Sequence, residues 1–110
     1  MLTVKELFER MPAAFNPEAA PGVDAVIQFF LTGDQAADYY VTIAEDTCKV
    51  DEGKHESPVA SLTVDSSDYL DMVFGKLNPQ MAFMQGKLKL SGDMGLLMRF
   101  QSFFDLSGLS

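Results

Sequence analysis

The chain has 110 residues, a net charge of −8, a hydrophobic share of 47% and a single cysteine, Cys48. That length suits one domain spanning residues 1–110 and is too short for two. The negative balance repels phosphate backbones, so no nucleic-acid partner is expected. No run of about 18 apolar residues offers a membrane span, and a lone cysteine excludes an internal disulfide. The opening MLTVKELFER lacks the apolar stretch of a signal peptide, and the closing SGLS matches no organelle address. A reducing, cytoplasmic setting is the expectation.

The charge is unevenly spread. Residues 1–74 carry 4 basic and 14 acidic side chains, 4 − 14 = −10. Residues 75–110 carry Lys76, Lys87, Lys89 and Arg99 against Asp93 and Asp105, 4 − 2 = +2. An anionic group on a ligand would find its complement only in that second part. For each lysine the alternative is a solvated strand or loop position.

In chain order, residues 3–15 predict a helix. Val4, Leu7, Phe8, Met11, Ala14 and Phe15 fall within about 120° of its circumference. Thr3 and Glu6 form a capping box, and Pro12 predicts a kink or break. Asn16 and Pro17 open a short helical turn over 17–20, which Pro21 and Gly22 end. Antiparallel strands follow at 24–31, 38–44, 46–53 and 58–64, rich in aromatic and β-branched residues.

Asp65 caps a second helix reaching Phe74. Its Tyr69, Leu70, Met72, Val73 and Phe74 cover about 200°, wider than the stripe of about 100° that a core-facing helix needs. Gly75 stops it. Asn78 and Pro79 start a short helix over 78–84, and residues 86–92 form a fifth strand with Leu88 and Leu90 inward and lysines outward. The last helix, about 93–105, has apolar residues over roughly 220°. Such a helix is sandwiched, or it packs on the sheet with one edge and lines a cavity or a partner with the other. Gln101 lies inside that arc, where an unpaired amide costs about 1–3 kcal/mol. It is either the partner of a ligand headgroup or a surface side chain near the chain's end.

No catalytic constellation is evident. Cys48 and His55 lack an orienting group and an oxyanion motif. Asp51, Glu52, His55 and Glu56 lack ligand spacing for a metal and read as a solvated loop. Neither a P-loop nor a Rossmann fingerprint is present. No catalytic residue, metal or cofactor is expected.

The stretch FGKLNPQMAFMQGKLKLSGDMGLLMRF, residues 74–100, resembles the C-terminal signature of the sterol carrier protein-2 (SCP-2) sterol-binding domain family. The corresponding segments are Gly75-Lys76-Leu77, Pro79 to Met84, Gly86 to Lys89 and Gly92-Asp93. LFERMPAAFNPEAA and VDSSDYLDMVFGKL extend the likeness over nearly the whole chain. The resemblance implies an α+β domain in which helices cover a five-stranded, mostly antiparallel sheet, with an apolar tunnel between them. It implies non-enzymatic binding of a fatty acid, acyl-CoA, sterol or other lipid, with at most transient membrane contact. The cavity positions it points to are Phe74, Met81, Ala82, Met84, Leu97, Met98, Phe100 and Phe104, with Gln101 beside them and Phe29 and Tyr40 as weaker strand candidates. For each of these, plain core packing is the alternative. Lys87, Lys89 and Arg99 are the candidate headgroup contacts. Two rival readings stay open: a docking or homodimer module using the apolar face of the last helix, and an accessory domain presenting lipid to an enzyme.

Overall fold

The computed structural model describes residues 3–104. The chain begins with α1 (Val4–Ala14), whose Thr3 cap and Glu6 exchange the two hydrogen bonds of a capping box. The helix buries Val4, Leu7, Phe8 and Met11, one turn apart on one stripe. Pro12 does not end it. The missing donor falls in the last turn, and the helix continues to Ala14 before Phe15 N–H bonds the Pro12 carbonyl. A 3₁₀ turn at Pro17–Ala19 follows, with Asn16 as its cap.

Five strands form one open sheet: β1 (Ala25–Thr32), β2 (Ala37–Ala44), β3 (Thr47–Glu52), β4 (Ala60–Asp65) and β5 (Leu88–Gly92). Their order is β3-β2-β1-β4-β5. Three neighbouring pairs are antiparallel, while β1 and β4 run parallel. The expectation that the first four strands would all run antiparallel fails at this one pairing. Residues 53–59 are too long for a tight hairpin, and they carry the chain from the β3 edge back across β2 and β1. Gln28 holds that crossing in place. Its side chain donates to the Tyr39 and Gly53 carbonyls and accepts from His55 N–H, so this buried amide is fully engaged. Gly92 is required where β5 meets β4. It has φ +88°, and a Cβ there would collide with the Val59 carbonyl oxygen.

One face of the sheet is apolar and covered by helices. The register aligns Leu90, Leu62, Phe29 and Tyr39 in one row across four strands. Phe8 lies on the Tyr39 end of that row, stacked at 4.3 Å between ring centroids and tilted by 9°. Beyond β4 come α2 (Ser66–Val73), capped by Asp65, and α3 (Pro79–Met84), capped by Asn78. After β5 come α4 (Met94–Arg99), capped by Asp93, and a 3₁₀ turn at Phe100–Phe103.

The single long C-terminal helix expected from the sequence is therefore two pieces. Tightening to 3₁₀ geometry brings residues three apart into line, and it sets Phe100 and Phe103 into the core. Ser102 Oγ donates to the Arg99 carbonyl at 2.5 Å, and Asn16 N–H bonds the Phe103 carbonyl at 2.7 Å. Phe104 bridges to Phe15. The Asn16 bond and the Phe15 bridge tie the turn to the end of the first helix, and tertiary packing overrides the α-helical period.

Candidate functional site

The same sheet face is not covered evenly. Over Leu62, Leu88 and Leu90 the three short helices stand off the strands and leave a cavity of about 550 Å³. From α2 come Tyr69 and Met72, one turn apart on the face that looks at the sheet. Asn78, Pro79, Gln80, Phe83 and Met84 close one side, while Met94, Leu97, Met98 and Phe100 close the other. No charged side chain lines it among the described residues. The volume falls within the range of small-molecule sites, about 300–1,000 Å³.

Exposure separates floor from mouth. Leu62, Tyr69, Met72, Leu88 and Phe100 are buried and form the floor. Met84 is 81% exposed, Met98 57%, Phe83 47% and Met94 42%, so the rim is built of large apolar side chains in contact with water. Local sequence explains the arrangement. Asn78 accepts from the N–H groups of Gln80 and Met81, and Asp93 accepts from Leu96 N–H. These caps hold two six-residue helices that would not persist alone. The over-wide arc of the last helix is thereby divided. Leu96, Phe103 and Phe104 turn to the core, Met94, Leu97 and Met98 turn to the cavity, and Phe100 lies between the two at the cavity floor.

Of the residues expected at a cavity, Met84, Leu97, Met98 and Phe100 line it together. The others lie elsewhere. Ala82 is fully buried on the core side of α3, and Phe104 packs between Phe15 and Phe100. Met81 is half exposed, and Phe74 is half-buried at the end of α2; neither lines the cavity. Phe29 sits at the centre of the aromatic core, between Phe8, Tyr69 and Phe100. Tyr40 is on the other face of the sheet, with its ring 5.3 Å from that of His55. The side chain of Gln101 lies outside the described residues.

The cations also differ from expectation. Strand alternation that turns Leu88 and Leu90 to the cavity turns Lys89 to the opposite face. Lys87 is exposed ahead of the strand, and Arg99 lies over the Phe103 ring at 6.0 Å. None of the three lines the cavity. Residues that the sequence reading left out of the site include Leu62, Tyr69, Met72, Asn78, Gln80, Phe83 and Met94. The surplus apolar width of α2 was the signal for Tyr69 and Met72. Nothing in the linear pattern distinguishes Phe83 from its neighbour Ala82.

The groups that would support chemistry stay apart. Cys48 pairs with Ile43 on the core side of β3, whereas His55 meets Tyr40 and Gln28 on the far side. Burial pushes the Cys48 thiol up to about 12, far from a thiolate nucleophile. The His55 ring accepts from Ser57 N–H through Nδ1. Among the described residues no three His, Cys, Asp or Glu side chains gather as a metal site. No helix among them is long and apolar enough to cross a membrane.

Residues 4–105 match the SCP-2 sterol transfer family. The chain is 32% identical over 99 residues to hydroxysteroid dehydrogenase-like protein 2 of Xenopus laevis, covering 89% of this chain and 24% of that protein. The chain thus spans about a quarter of the length of the curated relatives it matches first. Palmitated SCP2L2 from Aedes aegypti, solved by NMR, superimposes with a TM-score of 0.74 at 28% identity, over 92% of this chain and 93% of that one. The sec-alkylsulfatase Pisa1 from Pseudomonas sp. superimposes with a TM-score of 0.84 at 21% identity, over 94% of this chain and 16% of that one, a likeness of fold alone. The chain belongs to the SCP-2 sterol transfer family, whose domains generally bind or transfer lipids and are typically non-enzymatic.

Proposed function

We propose that this chain is a non-enzymatic lipid-binding domain that holds one apolar ligand in the cavity between β4, β5 and the helices α2, α3 and α4. The observation that carries the proposal is the cavity itself. It is about 550 Å³, open to solvent, apolar in its lining and rimmed by four exposed Met and Phe side chains. An exposed apolar rim around an apolar hole costs solubility and contributes nothing to the core, so it calls for an apolar occupant. Burying about 12 methylenes at about 0.8 kcal/mol each gives roughly 10 kcal/mol gross. Lost rigid-body and chain freedom cancels much of that, and micromolar affinity is the expected outcome. Methionine suits such a rim because it is flexible and polarisable and adapts to several shapes. The palmitated form of the Aedes aegypti relative supports an acyl chain as one class of cargo.

The rival reading is a docking or homodimer module built on the apolar face of the last helix; Phe103 and Phe104 are buried, so Met94 and Met98 are the exposed part of that face on which it would rest. Loading of an enzyme by this domain remains a proposal about partners and rests on the same cavity. Native mass spectrometry of freshly purified protein tests the carrier reading. A co-purifying lipid mass, or one bound palmitate per chain on titration, is the expected result. A monomer that stays empty at saturating palmitate would overturn it.

A further inference from the structure

The cavity has one polar side chain in its floor. Tyr69 is 4% exposed and its ring packs against Phe8 and Phe29. Around it, Ser66 Oγ accepts from Gln35 N–H and Asp65 accepts from Ser67 N–H, but none of the side-chain hydrogen bonds among the described residues reaches the Tyr69 hydroxyl. Every described side-chain nitrogen or oxygen that is sealed from solvent does have a partner. The Tyr69 hydroxyl has no such bond among the described residues, and Tyr69 lines the cavity. A phenol in that position is a hydrogen-bonding group awaiting a partner.

The remaining polar groups make the assignment selective. Asn78 Oδ1 already serves the N–H groups of its own helix, and Gln80 is exposed at the mouth. No Lys, Arg or His lines the cavity among the described residues. An ionised carboxylate or phosphate drawn to the floor would lose its hydration without meeting a cation, a loss that a single neutral phenol does not offset. Burial also holds the Tyr69 hydroxyl well above the ordinary phenol range, so it stays a neutral donor.

Resting on the lipid-binding reading, we propose that Tyr69 is a specificity-determining residue that hydrogen-bonds an uncharged oxygen of the ligand at the cavity floor. The ligand class is an otherwise apolar molecule carrying a hydroxyl, ester or ketone oxygen at its inserted end. Ligands with a charged end bind with that end at the mouth and gain nothing from Tyr69.

The test uses the full chain and Tyr69→Phe, which keeps the ring and its stacking. Binding of the fluorescent polyene cis-parinaric acid is measured first, then its displacement by 1-hexadecanol and by palmitate. A neutral hydrogen bond is worth about three- to tenfold in affinity. Hexadecanol is expected to weaken by that factor in Tyr69→Phe, with parinarate and palmitate unchanged within about twofold. Equal affinities for hexadecanol in both proteins, or an equal loss for all three ligands, would overturn the assignment. Failure of the unsubstituted protein to bind parinarate, palmitate and hexadecanol would overturn the lipid reading and this proposal with it. Infrared spectra of 13C-carbonyl methyl palmitate bound to the unsubstituted protein give an answer that does not depend on the variant folding. A carbonyl band shifted down from its position in hexadecane supports the bond, and an unshifted band contradicts it.

Discussion

The two halves of the sheet's covered face are built from similar residues and reach different ends. On the β2–β3 side an eleven-residue helix packs along the strands, with Val4, Leu7, Phe8 and Met11 almost wholly buried and Phe8 stacked on Tyr39. On the β4–β5 side helices of eight, six and six residues span the strands from their ends, and Leu62 and Leu90 face a cavity. The row Leu90–Leu62–Phe29–Tyr39 crosses both halves and is packed at one end only. One long helix buries a stripe along its length and fills the space beneath it. Short helices are held by their caps and by what they touch at their ends. They enclose volume without filling it.

The contrast is open to direct attack. The largest effect is expected for Phe8→Ala, which empties the packed half and should cost about 3–5 kcal/mol in urea unfolding. A loss below about 1 kcal/mol would mean that this half is not close-packed either. Next, Leu97→Trp fills the open half. Palmitate affinity should fall roughly tenfold or more as the indole takes the ligand's place, while stability changes by less than the 1–3 kcal/mol typical of overpacking a filled core. An unaltered palmitate titration would move the ligand elsewhere. At the rim, Met98→Ala should leave stability within about 0.5 kcal/mol and weaken palmitate by about two- to fivefold through lost apolar contact.

The last effect concerns pH. Burial disfavours the Cys48 thiolate and pushes the thiol up to about 12 in the folded chain, from 9.0 for a free thiol. Between those values the unfolded chain has lost a proton that the folded chain keeps. Stability from this group is fully present below pH 9 and declines as pH rises toward 12. Cys48→Ser should flatten part of that decline in thermal melts between pH 8 and 11. An identical slope in both proteins would remove Cys48 as its source.

Much of the packed half was legible in the sequence, because it rests on local periodicity. The spacing of Val4, Leu7, Phe8 and Met11 determines the helix face, and Thr3 with Glu6 marks its start. The alternation Ala60, Leu62, Val64 marks the buried face of β4 but not its neighbour, so the parallel pairing with β1 stayed hidden. The open half was legible only as surplus. Arcs too wide for one sheet announced unused apolar surface around α2 and α4, while Met84, Leu97, Met98 and Phe100 were named through the family resemblance. The division within each arc was not readable, since the switch to 3₁₀ geometry at Phe100 depends on contacts with Asn16 and Phe15 far away in the chain. The lysines misled for a simpler reason. Net charge counts residues, while strand alternation decides which face Lys89 occupies.

The central claim is that one half of this face receives ligand and the other does not. Methyl 13C NMR of the methionines during palmitate titration reads both halves at once. Met72, Met84, Met94 and Met98 line the cavity, while Met11 is on the buried stripe of α1. The account predicts saturable shifts of those four methyls, at one palmitate per chain, with Met11 unmoved. No saturable shift, or a shift of Met11 equal to that of Met84 and Met98, would contradict it.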